Sequence, residues 1–598
     1  MDTIPIFTPK QVGENGHIEY KWSSDIKEQI LQFNFQLVRT NDIGVLKLEN
    51  ILNSILIRLY SIYECSSCSS NKEEFRLYLT ILYCMIGQTR DIIEGKGEYQ
   101  LTYMMIVVWY QYYPELAKFA LTCLVDMGNK HPYGSWKDIK YFCKYCLKKG
   151  LTQDHALIKH AVSLVNTQLR KDVNSETPYI SLVSKWIPRE NSSFSWLFEL
   201  LALDYFSEYL VTTTYTTNQR ARRKCKTNYR KLISILNKKL NTVQIKQCAN
   251  TWSSIDFTNV TSITMTKQKK SFLNTNLNRK YLGDYNIDDR NECAHNFNQY
   301  IQDGLLGKTT IRGKRIGMEM FTKEALYLIS ESNKHKNKIS LQEDGKSDGK
   351  SDGKNGTLQA EIDLLNLQWK DSSSKLINLK NCIAMVDVSD SMYGEPLYVA
   401  SALGIRIAEN STMGKRVITF SHNPKWIHLE PYEDFVSMTE QVCGSSKGLN
   451  ANLYAAIDLI LTAIIDSKLS PELVEDMVLI ILSDMQIHTL DYSNNTIYEE
   501  IHKKYKETGI SLYGKPFKPP HILLWNLKST NGFPCLSYNK NVSMISGYNP
   551  GVLDMFCDKG IKAFDTCTPW VVLEKSLIRN NRYKIMKDKL DEWLHYNG

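Results

Sequence analysis

The stretch Ile383-Ala-Met-Val-Asp-Val-Ser-Asp-Ser391 ends an apolar run with a carboxylate and two hydroxyls at alternate positions, Asp387, Ser389 and Ser391. These are hard oxygen donors of the kind Mg²⁺ takes at roughly 2.0–2.1 Å. A second apolar run, Met477-Val-Leu-Ile-Ile-Leu482, ends in Ser483-Asp484 and supplies another acid. Short continuous apolar runs read as buried parallel strands, and open α/β sheets bind ligands at the carboxyl ends of such strands. If the two strands are neighbours, four oxygen-bearing side chains meet in one crevice suited to Mg²⁺ or Mn²⁺. A purely structural role is available to Asp387 and Ser391 as caps of a helix beginning near Pro396. That role leaves Asp484 unexplained.

Other chemistries do not assemble. There is no G-x-x-x-x-G-K-[ST] loop, and Gly95-Lys-Gly97 lacks the earlier glycine that a phosphate cradle needs. Neither H-E-x-x-H nor G-x-S-x-G occurs, and the 12 histidines are dispersed; His422 and His488 read as hydrogen-bonded surface near strand ends. No base or nucleophile accompanies Asp387, so the sequence indicates a protein without catalytic residues; a metal-assisted nuclease is the weaker alternative. The C-x-x-C pairs Cys65/Cys68 and Cys143/Cys146 lie about 75 residues apart, far from zinc-ribbon spacing. The second pair falls in a helical pattern where i and i+3 share a face.

The elements that would position this chemistry fall into two blocks. From 23 to 330, apolar residues recur at three and four, as in Leu46 to Tyr63, Glu74 to Ile86 and Leu101 to Leu124, which predicts an all-α repeat module. Residues 1–22 read as a flexible N-terminus. Residues 331–358, rich in Lys, Asn, Ser, Asp and Gly with Asp-Gly-Lys-Ser repeated, read as a low-complexity linker or insertion. From 376 to 598, strands through Val386, Arg416 to Phe420, Met477 to Leu482, Ile522 to Trp525 and Val542 to Ile545 alternate with helices, which predicts a doubly wound α/β domain. A last amphipathic helix, about Asn580 to Tyr596, should pack on that sheet or return to the helices.

Length and charge set wider bounds. At 598 residues, two large domains are expected. The net charge of +9 permits an acidic partner without demanding one. Fourteen thinly spread cysteines, no signal peptide at Met1 and no apolar run near 18 residues indicate a reduced intracellular setting with no membrane role. An excess of Asn, Lys, Ile and Tyr fits an A/T-rich genome.

The order D-x-S-x-S, helix, strands, helix, strand-Asp resembles the von Willebrand factor A domain and its metal-ion-dependent adhesion site. The resemblance implies a doubly wound, Rossmann-like fold, with Ser389 and Ser391 as direct metal ligands and Asp387 and Asp484 acting directly or through water. It also implies a partner whose carboxylate completes the site. The family's Thr ligand is missing from Gly448-Leu-Asn-Ala-Asn-Leu453, where Asn450 or Asn452 would substitute through an amide oxygen.

Further phrases, Thr89-Arg-Asp-Ile-Ile-Glu-Gly-Lys-Gly-Glu98, His131-Pro-Tyr-Gly-Ser-Trp-Lys-Asp138, Lys185-Trp-Ile-Pro-Arg189, Tyr229-Arg-Lys-Leu232, Ser483-Asp-Met-Gln486 and Leu524-Trp-Asn-Leu527, resemble an uncharacterised family of eukaryotes and giant viruses. That family joins a helical module to a von Willebrand A domain; for a viral member the host cytoplasm is the expected location. More distantly, the layout is similar to the Ro ribonucleoprotein, whose TROVE module binds structured and single-stranded RNA. On the residues alone, Arg220, Arg222, Arg223, Lys224, Lys226, Arg230 and Lys231, followed by Lys238 and Lys239, form a run able to track phosphates, with Tyr229 available for stacking and Trp136, Trp186 and Trp252 as packing anchors. Its bland reading is a solvated helix face.

Overall fold

The computed structural model describes residues 8–65, 69–177, 179–210, 215–276, 279, 288–340, 351–372, 381–444, 451–488, 494–553 and 567–597. They form two compact units, one of residues 1–81 and 256–580, the other of residues 82–255 and 581–598.

The first unit holds a mixed six-stranded sheet. After a short N-terminal hairpin of β1 (Lys10–Val12) and β2 (Ile18–Tyr20), the sheet strands are β3 (Cys382–Asp387), β4 (Arg416–Phe420), β5 (Lys425–His428), β6 (Val478–Ser483), β7 (His521–Asn526) and β8 (Val542–Ser546), in the order β5-β4-β3-β6-β7-β8. All neighbours are parallel except β4 and β5. Every residue of β3, β6, β7 and β8 is buried, as parallel strands covered on both faces require. β3 and β6 are central and adjacent, with Val386 beside Leu482, so their acid-bearing ends lie together. Helix Glu395–Asn410 packs on β3 through Gly404, where an added Cβ would collide with the Val386 side chain. Only glycine allows that approach.

The N-terminal residues were expected to be flexible or part of the helical module. Instead, they belong to the sheet unit. Tyr20 and Phe533 exchange backbone hydrogen bonds at 2.9 and 3.0 Å. Helix Ile26–Gln36 docks on the end of the sheet, with Asn526 Nδ2 donating to Phe35 O at 3.0 Å and Ser546 Oγ to Asn34 O at 3.0 Å. The apolar spacing of this helix was legible; its partner, some 490 residues away, was not. Helices also occupy much of the span read as a linker: Met318–Ser340 and Ser351–Ser372 flank residues 341–350, which lie outside the described residues. The second of these buries Leu364, Leu365 and Trp369.

The second unit is helical. Helix Pro114–Cys123 starts with Pro at its first turn, where the missing N–H costs nothing. Helix Trp136–Lys148 begins with a capping box of Ser135 and Asp138. The last helix, Lys584–Asn597, takes the second of its two expected routes and packs here, with Trp593 edge-on to Tyr113. The resemblance phrases explain how this unit closes. Arg90 grips Asp138 with two 2.8 Å hydrogen bonds, Tyr103 adds a third at 2.7 Å, and Asp91 receives two from Arg582, also at 2.8 Å. Cys143 and Cys146 are fully buried on one helix; burial pushes both thiols up, Cys146 to about 12, which suits packing and not metal binding. Cys68 lies outside the described residues.

Candidate metal centre

Asp387, the last residue of β3, is fully buried. Its Oδ1 accepts from Ser389 N at 3.0 Å and its Oδ2 from Ser483 Oγ at 2.5 Å, so a residue at the end of β6 fixes the acid at the end of β3. The Ser389 and Ser391 hydroxyls stand 3.1 Å apart. Asp484, also fully buried, accepts from Gln486 N at 3.0 Å through Oδ1, while its Oδ2 has no hydrogen-bond partner. Met485 turns the chain there at φ +61°, a left-handed conformation that a non-glycine residue adopts only under constraint. The capping role is not used: helix Glu395–Asn410 is preceded by Gly394, with no side-chain cap.

Lys528, two residues past β7, spans the group. Its Nζ donates to Ser391 O at 2.7 Å and lies 3.8 Å from Asp484 Oδ2. Asp387, Ser389, Ser391 and Asp484 thus come together at the carboxyl edge of two adjacent strands, with Ser483 and Lys528 as members that sequence reasoning did not assign. Lys528 had a signal: it follows a third apolar strand, His521–Asn526, which pairs with β6.

The electrostatics are those of two buried acids beside one half-exposed lysine. Burial first, then the Asp484 charge, raises the Asp387 carboxyl far above its ordinary range, against opposing hydrogen bonds from Ser389 and Ser483. Burial likewise raises Asp484; the Gln486 amide, the Ser391 hydroxyl and Lys528 pull it back, and Glu14 adds to the rise. Two buried carboxylates at close quarters cannot both ionise cheaply.

Asn450 lies outside the described residues. Asn452 caps helix Leu453–Asp466, its Oδ1 accepting from Ala455 N at 3.0 Å. Among the described residues no group of three or more His, Cys, Asp or Glu is arranged to hold a metal; the donors here are two carboxylates and two hydroxyls. A larger cavity of the same unit, about 1060 Å³, is lined by Trp369, Lys370, Arg406, Lys415 and Asp434 and includes none of the four.

The basic run lies on helix Tyr215–Leu240. Arg220, Arg222, Arg223, Lys224, Arg230 and Lys231 are exposed and Lys226 is half-buried. Acids already engage part of it: Arg222 pairs with Glu199 at 2.8 Å, and Lys226 and Arg230 approach Glu190 at 3.8 and 3.3 Å. Lys224 lies 4.0 Å from the Tyr209 ring centroid. Tyr229 is not a stacking residue; it is fully buried, and its hydroxyl donates to Asn166 Oδ1 at 3.1 Å. Lys96 is buried as well, which lowers its ammonium to about 7 and removes it from any phosphate-binding role. Trp136, Trp186 and Trp252 are partly buried, and Trp136 and Trp186 face Ile139, Val162, Val165 and Leu201 across a small apolar pocket. Lys137 and Lys140 flank Trp186 at 5.8 and 5.7 Å from its ring centroid.

Residues 381–589 match a family model described as a domain of unknown function (DUF7788), and residues 151–378 match a second described in the same words (DUF2828). An uncharacterized protein of Acanthamoeba polyphaga mimivirus is 26% identical over 500 residues, covering 80% of this chain and 76% of that protein. These likenesses fit an uncharacterised family with giant-virus members. The two matched stretches meet between 378 and 381, whereas the compact units divide at 81/82, 255/256 and 580/581, so sequence families and packing cut the chain at different places. Among the described residues no helix is long and apolar enough to cross a membrane.

Proposed function

We propose that the chain is a non-enzymatic binding or scaffold protein. Its sheet unit, organised like a von Willebrand A domain, holds Mg²⁺ or Mn²⁺ at Asp387, Ser389, Ser391 and Asp484 and through it engages an acidic protein partner. The observation that carries this reading is the buried Asp484, whose Oδ2 makes no hydrogen bond and has the Lys528 ammonium 3.8 Å away, beside a second buried carboxylate and two hydroxyls. A buried acceptor left unsatisfied costs about 1–3 kcal/mol or more when charged, and such groups are the usual mark of an ion or water site. When bound, the ion offsets both carboxylates and attracts an external one. Ser389 and Ser391 present hydroxyl oxygens; Asp387, gripped by Ser389 N and Ser483, holds its carboxylate in place; Lys528 partly balances Asp484. The setting is intracellular, in the host cytoplasm if the protein is viral.

Isothermal titration of the full chain with Mn²⁺ tests this. Wild type should take up the ion and Asp387→Ala should not; an equal response from both rejects the reading. Mg²⁺ at 100 times its Kd should stabilise the wild type by about 2.7 kcal/mol.

A second reading, RNA binding, draws on the helical unit. Lys137, Lys140 and Lys144 lie over Tyr141, Trp186 and Phe194, and burial together with the Lys137 charge lowers the Lys140 ammonium, which favours an anion there. Binding of single-stranded or structured RNA should fall steeply with salt. Charge reversal at Lys137 and Lys140 should weaken it, as should reversal at Arg220, Arg223 and Lys231. Identical affinity in both variants removes this reading.

A further inference from the structure

The turn Gly13-Glu14-Asn15-Gly16, between β1 and β2, lies against the segment that follows Asp484. Glu14 N donates to Gln486 Oε1 at 3.1 Å, Asn15 Nδ2 donates to Gln486 O at 2.9 Å, and Gly16 bridges His488. The same Gln486 donates its own N–H to Asp484 Oδ1. One glutamine therefore tethers the exposed Glu14 to the acid whose other oxygen has no hydrogen-bond partner. The turn is fixed in shape, since Gly13 N donates to His17 O at 2.7 Å, Gly16 N donates to Gly13 O at 3.1 Å, and Gly16 takes a φ of +88° that favours glycine. The hairpin is anchored at its base by Lys10 on Glu499 at 2.8 Å and by the paired backbones of Tyr20 and Phe533.

The turn's hydrogen bonds to Gln486 bring a third carboxylate-bearing residue to the segment just after the two buried acids. Like charges placed together repel unless a cation joins them. Lys528 is the cation that stands near Asp484, at 3.8 Å and half-exposed. A cavity of about 250 Å³ lined by Glu14, Trp22, Gln36, Ser529 and Thr530 borders the turn, next to the segment that follows Lys528.

We propose that Glu14 is this metal site's own carboxylate. With the ion held by Asp387, Ser389, Ser391 and Asp484, the Glu14 side chain takes the place otherwise open to a partner, and an acidic partner binds by displacing that carboxylate from the fixed turn. This rests on the metal-binding reading above. It explains why an N-terminal turn is tied by side-chain amides to the residues just after β6.

The test combines Mn²⁺ titration with hydrogen exchange over residues 10–20 in the full chain. In wild type, Mn²⁺ should slow exchange in the 13–16 turn. In Glu14→Gln, Mn²⁺ affinity should fall about 10-fold, the order seen when a group supporting a metal site is lost. The added protection should disappear, acetate should restore affinity, and Glu14→Asp should retain part of both effects. If Glu14→Gln binds Mn²⁺ as tightly as wild type with the same protection, Glu14 is not a ligand while the metal site stands. Absence of Mn²⁺ uptake by wild type overturns the metal reading and this proposal with it.

Discussion

Asp138 in the helical unit and the pair Asp387 and Asp484 in the sheet unit are all almost completely inaccessible carboxylates, yet their surroundings are opposite. Asp138 accepts two hydrogen bonds from Arg90, one from Tyr103 and one from Ser135 N. Burial alone would raise its carboxyl, but Arg90, with Tyr103 and Ser135, holds it below the ordinary range. Asp387 and Asp484 have hydroxyl and amide donors, one half-exposed lysine 3.8 Å from Asp484, and raised carboxyls. A chain that satisfies one buried acid this fully and leaves another pair with raised carboxyls treats the two differently, and the proposed metal role draws on that difference.

The largest effect expected from this comparison is at Arg90. Arg90→Ala strands Asp138 without its counter-charge and should cost about 3–5 kcal/mol in urea denaturation followed by circular dichroism. Asp387→Asn, in buffer free of divalent ions, should match or exceed wild-type stability, because the amide removes a poorly compensated buried charge while still able to meet Ser389 N and Ser483 Oγ. A loss of similar size in both variants breaks the comparison. The pH dependences sharpen it, since each tenfold change in proton affinity is worth about 1.4 kcal/mol. Asp138, with its lowered carboxyl, contributes stability that is present above the unfolded value near 3.9 and lost as pH falls through the folded one. The raised pair acts in the opposite direction: metal-free stability should decline as pH rises from about 4 towards neutrality, and the advantage of Asp387→Asn should grow over that window. Denaturation midpoints of wild type and variant at several pH values check the sign.

Local chemistry was legible where a segment carries its own pattern. β3 and β6 declared themselves as apolar runs ending in acids, while their adjacency, left conditional by the sequence, comes from the parallel register of the two strands. What stayed hidden depends on partners distant in sequence. Glu14 lies 472 residues from Gln486, and no periodicity links a Gly-Glu-Asn-Gly turn to a strand end. Edge strand β5 and helices Phe435–Gly444 and Pro569–Ile578 were also missed; the first is four residues long and antiparallel, the others short. The phrase around Arg90 was visible as a motif, but its role as a buried clamp needed Asp138 and Arg582, from a segment some 490 residues on, to be placed.

Tyr229 provides the smallest and most diagnostic contrast. Placed in a basic run, it looked like a surface for a base to stack on; its ring is instead packed edge-on to Phe198 and Tyr205, and its hydroxyl is spent on Asn166. Asn166 Nδ2 also donates to Leu201 O at 2.9 Å and Asp204 Oδ2 at 2.8 Å, so the phenol satisfies the amide's remaining acceptor. Tyr229→Phe keeps the ring and removes one buried hydrogen bond, an expected loss of about 1 kcal/mol by denaturation. It should leave RNA affinity unchanged, whereas reversal of the exposed charges on the same helix should not. A variant that loses RNA affinity without losing stability would return Tyr229 to the surface role that its sequence neighbours suggested.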